Sequence, residues 1–122
     1  MSKILLIEDD LPLLRMYQVA FKNSGHAFIT ATDGQEGLDK IKKEAPDLIL
    51  LDLVLPKKHG FEVLKEAKED PMTAKIPVIC LSVLHQQEDI DKCMALGAVD
   101  YIVKSDVAPE VVVSKALAKL KD

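Results

Sequence analysis

The chain has 122 residues, of which 48% are apolar and 30% charged, with a formal net charge of −4. That length suits a single domain over a buried core, and the apolar share excludes an intrinsically disordered chain. The mild acidity, without a basic stripe, removes the electrostatic case for direct binding of nucleic acid or an anionic membrane.

In chain order, the apolar run KILLI predicts a strand over Lys3–Ile7. It is too short for a signal-peptide core or a membrane span, so the expected address is the cytoplasm. A helix follows with its apolar stripe at Leu14, Tyr17 and Phe21, stopping near Gly25. A second strand is predicted over Ala27–Ala31. Asp33 and Glu36 then form a capping box for a helix with Leu38, Ile41 and Ala45 on one face. A third strand is expected at Leu48–Leu51, followed by a helix with Phe61, Leu64 and Lys68. The polar stretch Glu69–Pro77 reads as a surface loop. The fourth strand is placed at Pro77–Leu81, and its helix carries Ile90, Cys93 and Met94 and stops at Gly97. The fifth strand is placed at Val99–Val103. Pro109 and Glu110 open the last helix, with Val113, Ala116, Leu117 and Leu120 along one side.

Most strand runs are continuously apolar, as strands buried on both faces are. Strict alternation of strand and helix implies parallel strands joined by right-handed crossovers, hence a (βα)5 layout. The expected fold is α/β: a doubly wound, flavodoxin-like three-layer sandwich with strand order 2-1-3-4-5, forming one domain over residues 1–122. Cys80 and Cys93 lack CxxC spacing and read as reduced core or boundary thiols. His26, His59 and His85 show no zinc-ligand spacing.

One residue conflicts with this apolar pattern. The stretch DLILLDLVLP sets Asp52 among leucine, isoleucine and valine. A buried charge without a partner costs several kcal/mol, so Asp52 must reach water, a cation or hydrogen-bond donors at the end of its strand. The other strands end on similar residues: Glu8, Asp9 and Asp10 after the first, Ser82 after the fourth, and Lys104 after the fifth. The predicted strand order gathers all of them at one edge. Carboxylates crowded together repel unless a cation neutralises them, and hard oxygen donors with room for water suit Mg²⁺. Ser82 and Lys104 could then hold an anion beside the metal, such as a phosphoryl group. Taken singly, each has a plainer reading. The acidic run could be a helix start, Ser82 a cap and Lys104 a snorkelling lysine. Their coincidence on one edge favours a site.

The motifs LLIEDD, LILLDLVLP with HGFEVLK, PVICLS and GAVDYIVK resemble those of the receiver domains of two-component response regulators, the chemotaxis-regulator-like family, over essentially the whole chain. The resemblance implies that Asp52 is the phosphoacceptor, Asp9 a direct Mg²⁺ ligand and Glu8 a ligand through water. It further implies that the Val54 carbonyl binds the metal, that Ser82 turns toward the phosphoryl group, that Lys104 is its counter-cation and that Tyr101 is a switch aromatic. The implied partners are a sensor histidine kinase or phosphotransfer protein, and a downstream protein met by the face of helix 4, strand 5 and helix 5. A phosphorylation-dependent dimer is also implied. Such a protein is a signalling switch, catalysing only its own phosphorylation and dephosphorylation.

Three positions depart from the family pattern. His59 stands where many relatives carry Asp, Ser105 where proline is usual, and Val83 where a small residue is common. A non-proline cis bond costs about 2.5 to 4 kcal/mol, so a trans Lys104–Ser105 bond is expected. Phosphatases of the haloacid dehalogenase type expect a second Asp two residues after the first, where this chain has Val54. The last helix ends at ALAKLKD, near where a receiver stops, which favours a stand-alone protein. The alternative is the receiver portion of a longer regulator with a DNA-binding or enzymatic output.

Overall fold

The computed structural model describes residues 1–120. Its elements alternate without exception: β1 (Lys3–Ile7), α1 (Leu11–Phe21), β2 (Ala27–Ala31), α2 (Gly34–Glu44), β3 (Leu48–Leu51), α3 (Gly60–Glu69), β4 (Val78–Ser82), α4 (Gln87–Ala95), β5 (Asp100–Val103) and α5 (Pro109–Ala118). All strand pairs are parallel, in the predicted order β2-β1-β3-β4-β5. β4 starts one residue later than the apolar run suggests. Pro77 has no N–H to give to a ladder, while Ser82 pairs with Val103.

Because side chains alternate across a strand, each continuous apolar run feeds two cores. Leu5, Ile7, Ile49, Leu51 and Cys80 join Ile41, Val63, Leu64, Ala67 and Cys93 on the side of α2, α3 and α4. Ile4, Leu6, Leu48, Leu50, Ile79 and Leu81 join Leu14, Tyr17, Phe21, Val112 and Ala116 on the side of α1 and α5. Cys80 and Cys93 are both buried and free.

Several helix stripes differ from expectation. α3 buries Val63, Leu64 and Ala67, while Phe61 and Lys68 flank the core. α4 buries only Cys93, and Met94 is 45% exposed. α5 buries Val112 and Ala116, and the expected Val113, Leu117 and Leu120 pack against the same core. Ala45 is not on the α2 face at all. It is the left-handed C-cap, at φ 46°. In α3 and α4 the buried face is set by tertiary packing, which periodicity alone does not specify.

The segment from Glu69 to Pro77 is also more than a surface loop. Thr73 is buried, with its hydroxyl donating to Ala67 O at 2.6 Å, and Lys68 Nζ donates to Ala74 O and Ile76 O. These bonds fold the segment back onto the end of α3.

The caps largely follow the sequence. Asp10 accepts from Leu13 N at the start of α1, and Asp33 accepts from Glu36 N at 2.7 Å. Glu36 reaches back to Thr32 N, one residue before the cap, rather than to Asp33 N. Among the described residues no helix is long and apolar enough to cross a membrane.

Candidate functional site

Strands β1, β3, β4 and β5 end on one edge, and the residues that follow them converge there. Asp52 is 4% exposed, and its N–H donates to Ile7 O at 3.1 Å, which keeps the chain bound to β1 just past the end of β3. Its Oδ1 accepts from Val54 N at 3.4 Å. Glu8 is 1% exposed, its N–H bonded to Ala31 O and its Oε2 accepting from Asp10 N. Asp9 is exposed, and one carboxylate oxygen from each of Glu8, Asp9 and Asp52 lies within 4.8 Å of the others. Asp10 turns away to cap α1.

Lys104 reaches this group from β5. Its Nζ donates to Glu8 Oε1 at 2.5 Å and to Asp52 Oδ2 at 3.0 Å, with the ammonium almost wholly out of water. Its backbone N–H donates to Ser82 O, which ties the end of β5 to β4. Burial raises the pKa of Glu8; the Lys104 hydrogen bond opposes this and the charge of Asp52 adds to it. Burial pulls the Lys104 ammonium down, but the bonds to Glu8 and Asp52 outweigh it and hold its pKa above the ordinary value. One ammonium therefore serves two buried carboxylates, with the exposed Asp9 beside them. This residual negative charge on hard oxygen donors fits a divalent cation such as Mg²⁺.

Ser82 is the last residue of β4 and fully buried. It does not cap α4, whose N-cap is Gln86. Its Oγ accepts from Leu84 N at 3.3 Å, and the Tyr101 hydroxyl donates to Leu84 O at 2.7 Å. Ser82 and Tyr101 thus hold opposite sides of one loop residue. Burial pushes the Tyr101 phenol up to about 12.

The departures from the family pattern have local explanations. His59 is the N-cap of α3, with Nδ1 accepting from Phe61 N at 3.2 Å, so it does the capping that an Asp would do. The Lys104–Ser105 bond is trans, as every described peptide bond is. Val83 stands 50% exposed just past Ser82.

Two features escape the sequence reading. Tyr17 reads as a core stripe residue, yet its buried phenol feels Lys104, Glu8 and Asp52, and its pKa is raised chiefly by burial. The start of α2 also leans on the loop after β3, through Asp33 and Gly34. The only sequence signal for that contact is a glycine directly after a cap residue.

In a doubly wound α/β sheet ligands bind in the crevice at the switch point, and here an acidic triplet and a shared lysine stand there. A family model described as "Response regulator receiver domain" matches residues 4–116, and the chain belongs to that family. It is 38% identical over 105 residues to the alkaline phosphatase synthesis transcriptional regulatory protein PhoP of Bacillus subtilis (strain 168), a match covering 84% of this chain and 42% of that protein. The chain thus spans about two fifths of that relative's length. Among solved structures it is similar to the Mn(2+)-bound form of response regulator Rcp1, with a TM-score of 0.85 and 34% identity over 93% of this chain and 91% of that one. The phosphorylated cyanobacterial phytochrome response regulator RcpA also gives a TM-score of 0.85 and 34% identity, over 98% of this chain and 96% of that one.

Proposed function

We propose that this receiver domain is a phosphorylation-controlled binding switch, with Asp52 as phosphoacceptor. The observation that carries the reading is the sharing of Lys104 between Asp52 and Glu8 beside Asp9. An oxygen of Asp52 attacks the phosphorus of a phosphohistidine on a sensor kinase or phosphotransfer protein. The N–P bond breaks, and the imidazole leaves carrying the nitrogen electron pair. Lys104 stays on the acceptor side as counter-cation to the transferred group.

Asp9, Asp52 and the carbonyl of Val54 would hold Mg²⁺, with Glu8 acting through a water. When bound, the ion neutralises charge on the transferring phosphoryl group. Ser82 then offers its hydroxyl to the new phosphoryl oxygens, and Tyr101 follows the loop at Leu84. The resulting shift acts on the face of α4, β5 and α5 toward a downstream protein or a second copy of the chain, and α4 and α5 carry the exposed apolar residues Met94 and Val111. The protein has no turnover beyond gain and loss of its own phosphoryl group, and its proposed address is the cytoplasm.

Incubation with a small phosphodonor and Mg²⁺, followed by intact mass measurement, tests the reading. One added phosphoryl group is expected on the wild type and none on Asp52→Asn, since an amide is a far poorer nucleophile. Equal labelling of both proteins would overturn the site. The length of the PhoP relative supports a second reading, in which this domain is the receiver of a longer regulator. The reading frame on either side of this sequence decides between the two.

A further inference from the structure

The loop from Asp52 to His59 carries the proposed phosphoacceptor at its inner end, and the first residues of α2 hold its outer part. Gly34 N–H donates to Pro56 O at 3.2 Å, and the Asp33 carboxylate pairs with Lys57 Nζ at 3.5 Å. A Cβ placed on Gly34 would lie 1.8 Å from Lys58 O and 2.6 Å from its carbonyl carbon. Three consecutive loop residues therefore rest on the N-cap and the first residue of α2. The conformation held there is one that the loop resists, because Lys57 sits in the left-handed region at φ 68°, which costs a residue with a Cβ roughly 1–2 kcal/mol. The inner end has its own fixing: Gly60 N–H donates to Leu53 O at 2.8 Å, and a Cβ on Gly60 would meet Asp52 O at 2.4 Å.

We infer that Gly34 is a positioning residue for the metal site, and that the start of α2 is the abutment that sets where Asp52 and the Val54 carbonyl present their oxygens. The inference rests on the reading above, in which those oxygens bind Mg²⁺. Mg²⁺ demands near-ideal octahedral geometry, with ligand distances held to about 0.2 Å. A methyl group at position 34 would need its contact with Lys58 O to open from 1.8 Å to the ordinary 3.4 Å. Even a small part of that retreat, passed along the loop to Val54, exceeds the tolerance.

The test compares Mg²⁺ dissociation constants, measured by titration calorimetry, with melting temperatures for the wild type, Gly34→Ala and Gly37→Ala. Gly37 lies on the same helix, but the three atoms nearest to a Cβ there all belong to the Ile7 side chain, Cδ1 at 2.6 Å. Gly34→Ala is expected to weaken Mg²⁺ binding by about tenfold, the effect of disturbing a group that orients a metal ligand. Gly37→Ala should lower the melting temperature and leave Mg²⁺ affinity within about twofold of wild type, because the contact falls on side-chain atoms of Ile7, whereas at Gly34 it falls on loop backbone. Equal weakening in both variants, or unchanged affinity in Gly34→Ala, overturns the inference.

A second arm needs only the wild type. The N–H groups of Gly34 and Lys58 both donate to Pro56 O, at 3.2 and 2.8 Å, so saturating Mg²⁺ should slow their hydrogen exchange severalfold. Unchanged exchange at both amides also overturns the inference. If the wild type takes up no Mg²⁺, the metal reading falls as well; if it binds Mg²⁺ and Gly34→Ala matches it, only the abutment falls.

Discussion

Lys104 binds Glu8 more closely than it binds Asp52, at 2.5 Å against 3.0 Å, so a single buried ammonium holds two carboxylates together. Removing it leaves both buried carboxylates without their cation. Lys104→Ala should cost about 3 kcal/mol of stability, the usual penalty for breaking one side of a buried ion pair. Mg²⁺ should restore more stability to the variant than it adds to wild type, because no ammonium competes for the same oxygens. Urea unfolding with and without Mg²⁺ measures both effects, and equal Mg²⁺ stabilisation of the two proteins would refute the competition.

Asp9 and Asp10 are adjacent in sequence but have different tasks in the structure. Asp9 stands with the carboxylate group, whereas Asp10 caps α1 through Leu13 N. Asp9→Ala should abolish most Mg²⁺ affinity with little change in metal-free stability. Asp10→Ala should leave Mg²⁺ affinity nearly intact and cost about 1 kcal/mol as a lost cap. Calorimetric Mg²⁺ titration beside thermal melts separates the two, and matching losses of affinity would show that the acidic run is misassigned.

Asp33 provides a pH signature. Its hydrogen bond from Glu36 N, helped by Lys57, holds its pKa below the ordinary value of 3.8. A carboxylate with a depressed folded-state pKa contributes stability above its unfolded pKa and loses it as pH falls through the folded one. Asp33→Ala should therefore cost about 1 kcal/mol near neutral pH, the worth of an N-cap. The gap between variant and wild type should narrow as pH drops below 3.8. Urea midpoints across that range measure it, and a gap independent of pH would point to lost packing rather than a lost charge.

The lifetime of the phosphoryl group should be set by what flanks it. Hydrolysis needs a water held in line with phosphorus, and Val54 and Val83, each 50% exposed, are apolar and cannot hold one. Leu84 is apolar too but has a smaller part, because its side chain packs against the α2, α3 and α4 core. Val54→Asn should speed loss of phosphate, and Val83→Ala should speed both gain and loss. Leu84→Glu should speed decay less and lower stability, since it sets a charge against that core. Decay of the ³²P label, followed in each variant, decides this; a wild type as fast as the first two would rule out control by these side chains.

Both the fold and the gathering of these polar residues at one edge were legible in the sequence, for a local reason. Runs such as ILLI and LILL leave a strand with no polar face, so as strands they had to be covered on both sides, and the polar residues that end them had to share an edge. The sequence alone placed Glu8, Asp52, Ser82 and Lys104 at one edge of the sheet. Only the tertiary structure decided how they pair. Lys104 chooses Glu8 as well as Asp52 because strand order and sheet twist bring residues almost a hundred positions apart into contact, and no local pattern records that distance. The same holds for helix rotation, where Met94 faces out and Val63 in. It holds too for Gly34, whose need to be glycine arises from a carbonyl twenty-four residues further along the chain. Periodicity encodes what a segment is, because hydrogen bonding and burial are decided within a few residues. Which atoms it touches depends on packing between segments, and that is fixed only when the whole chain closes on its core.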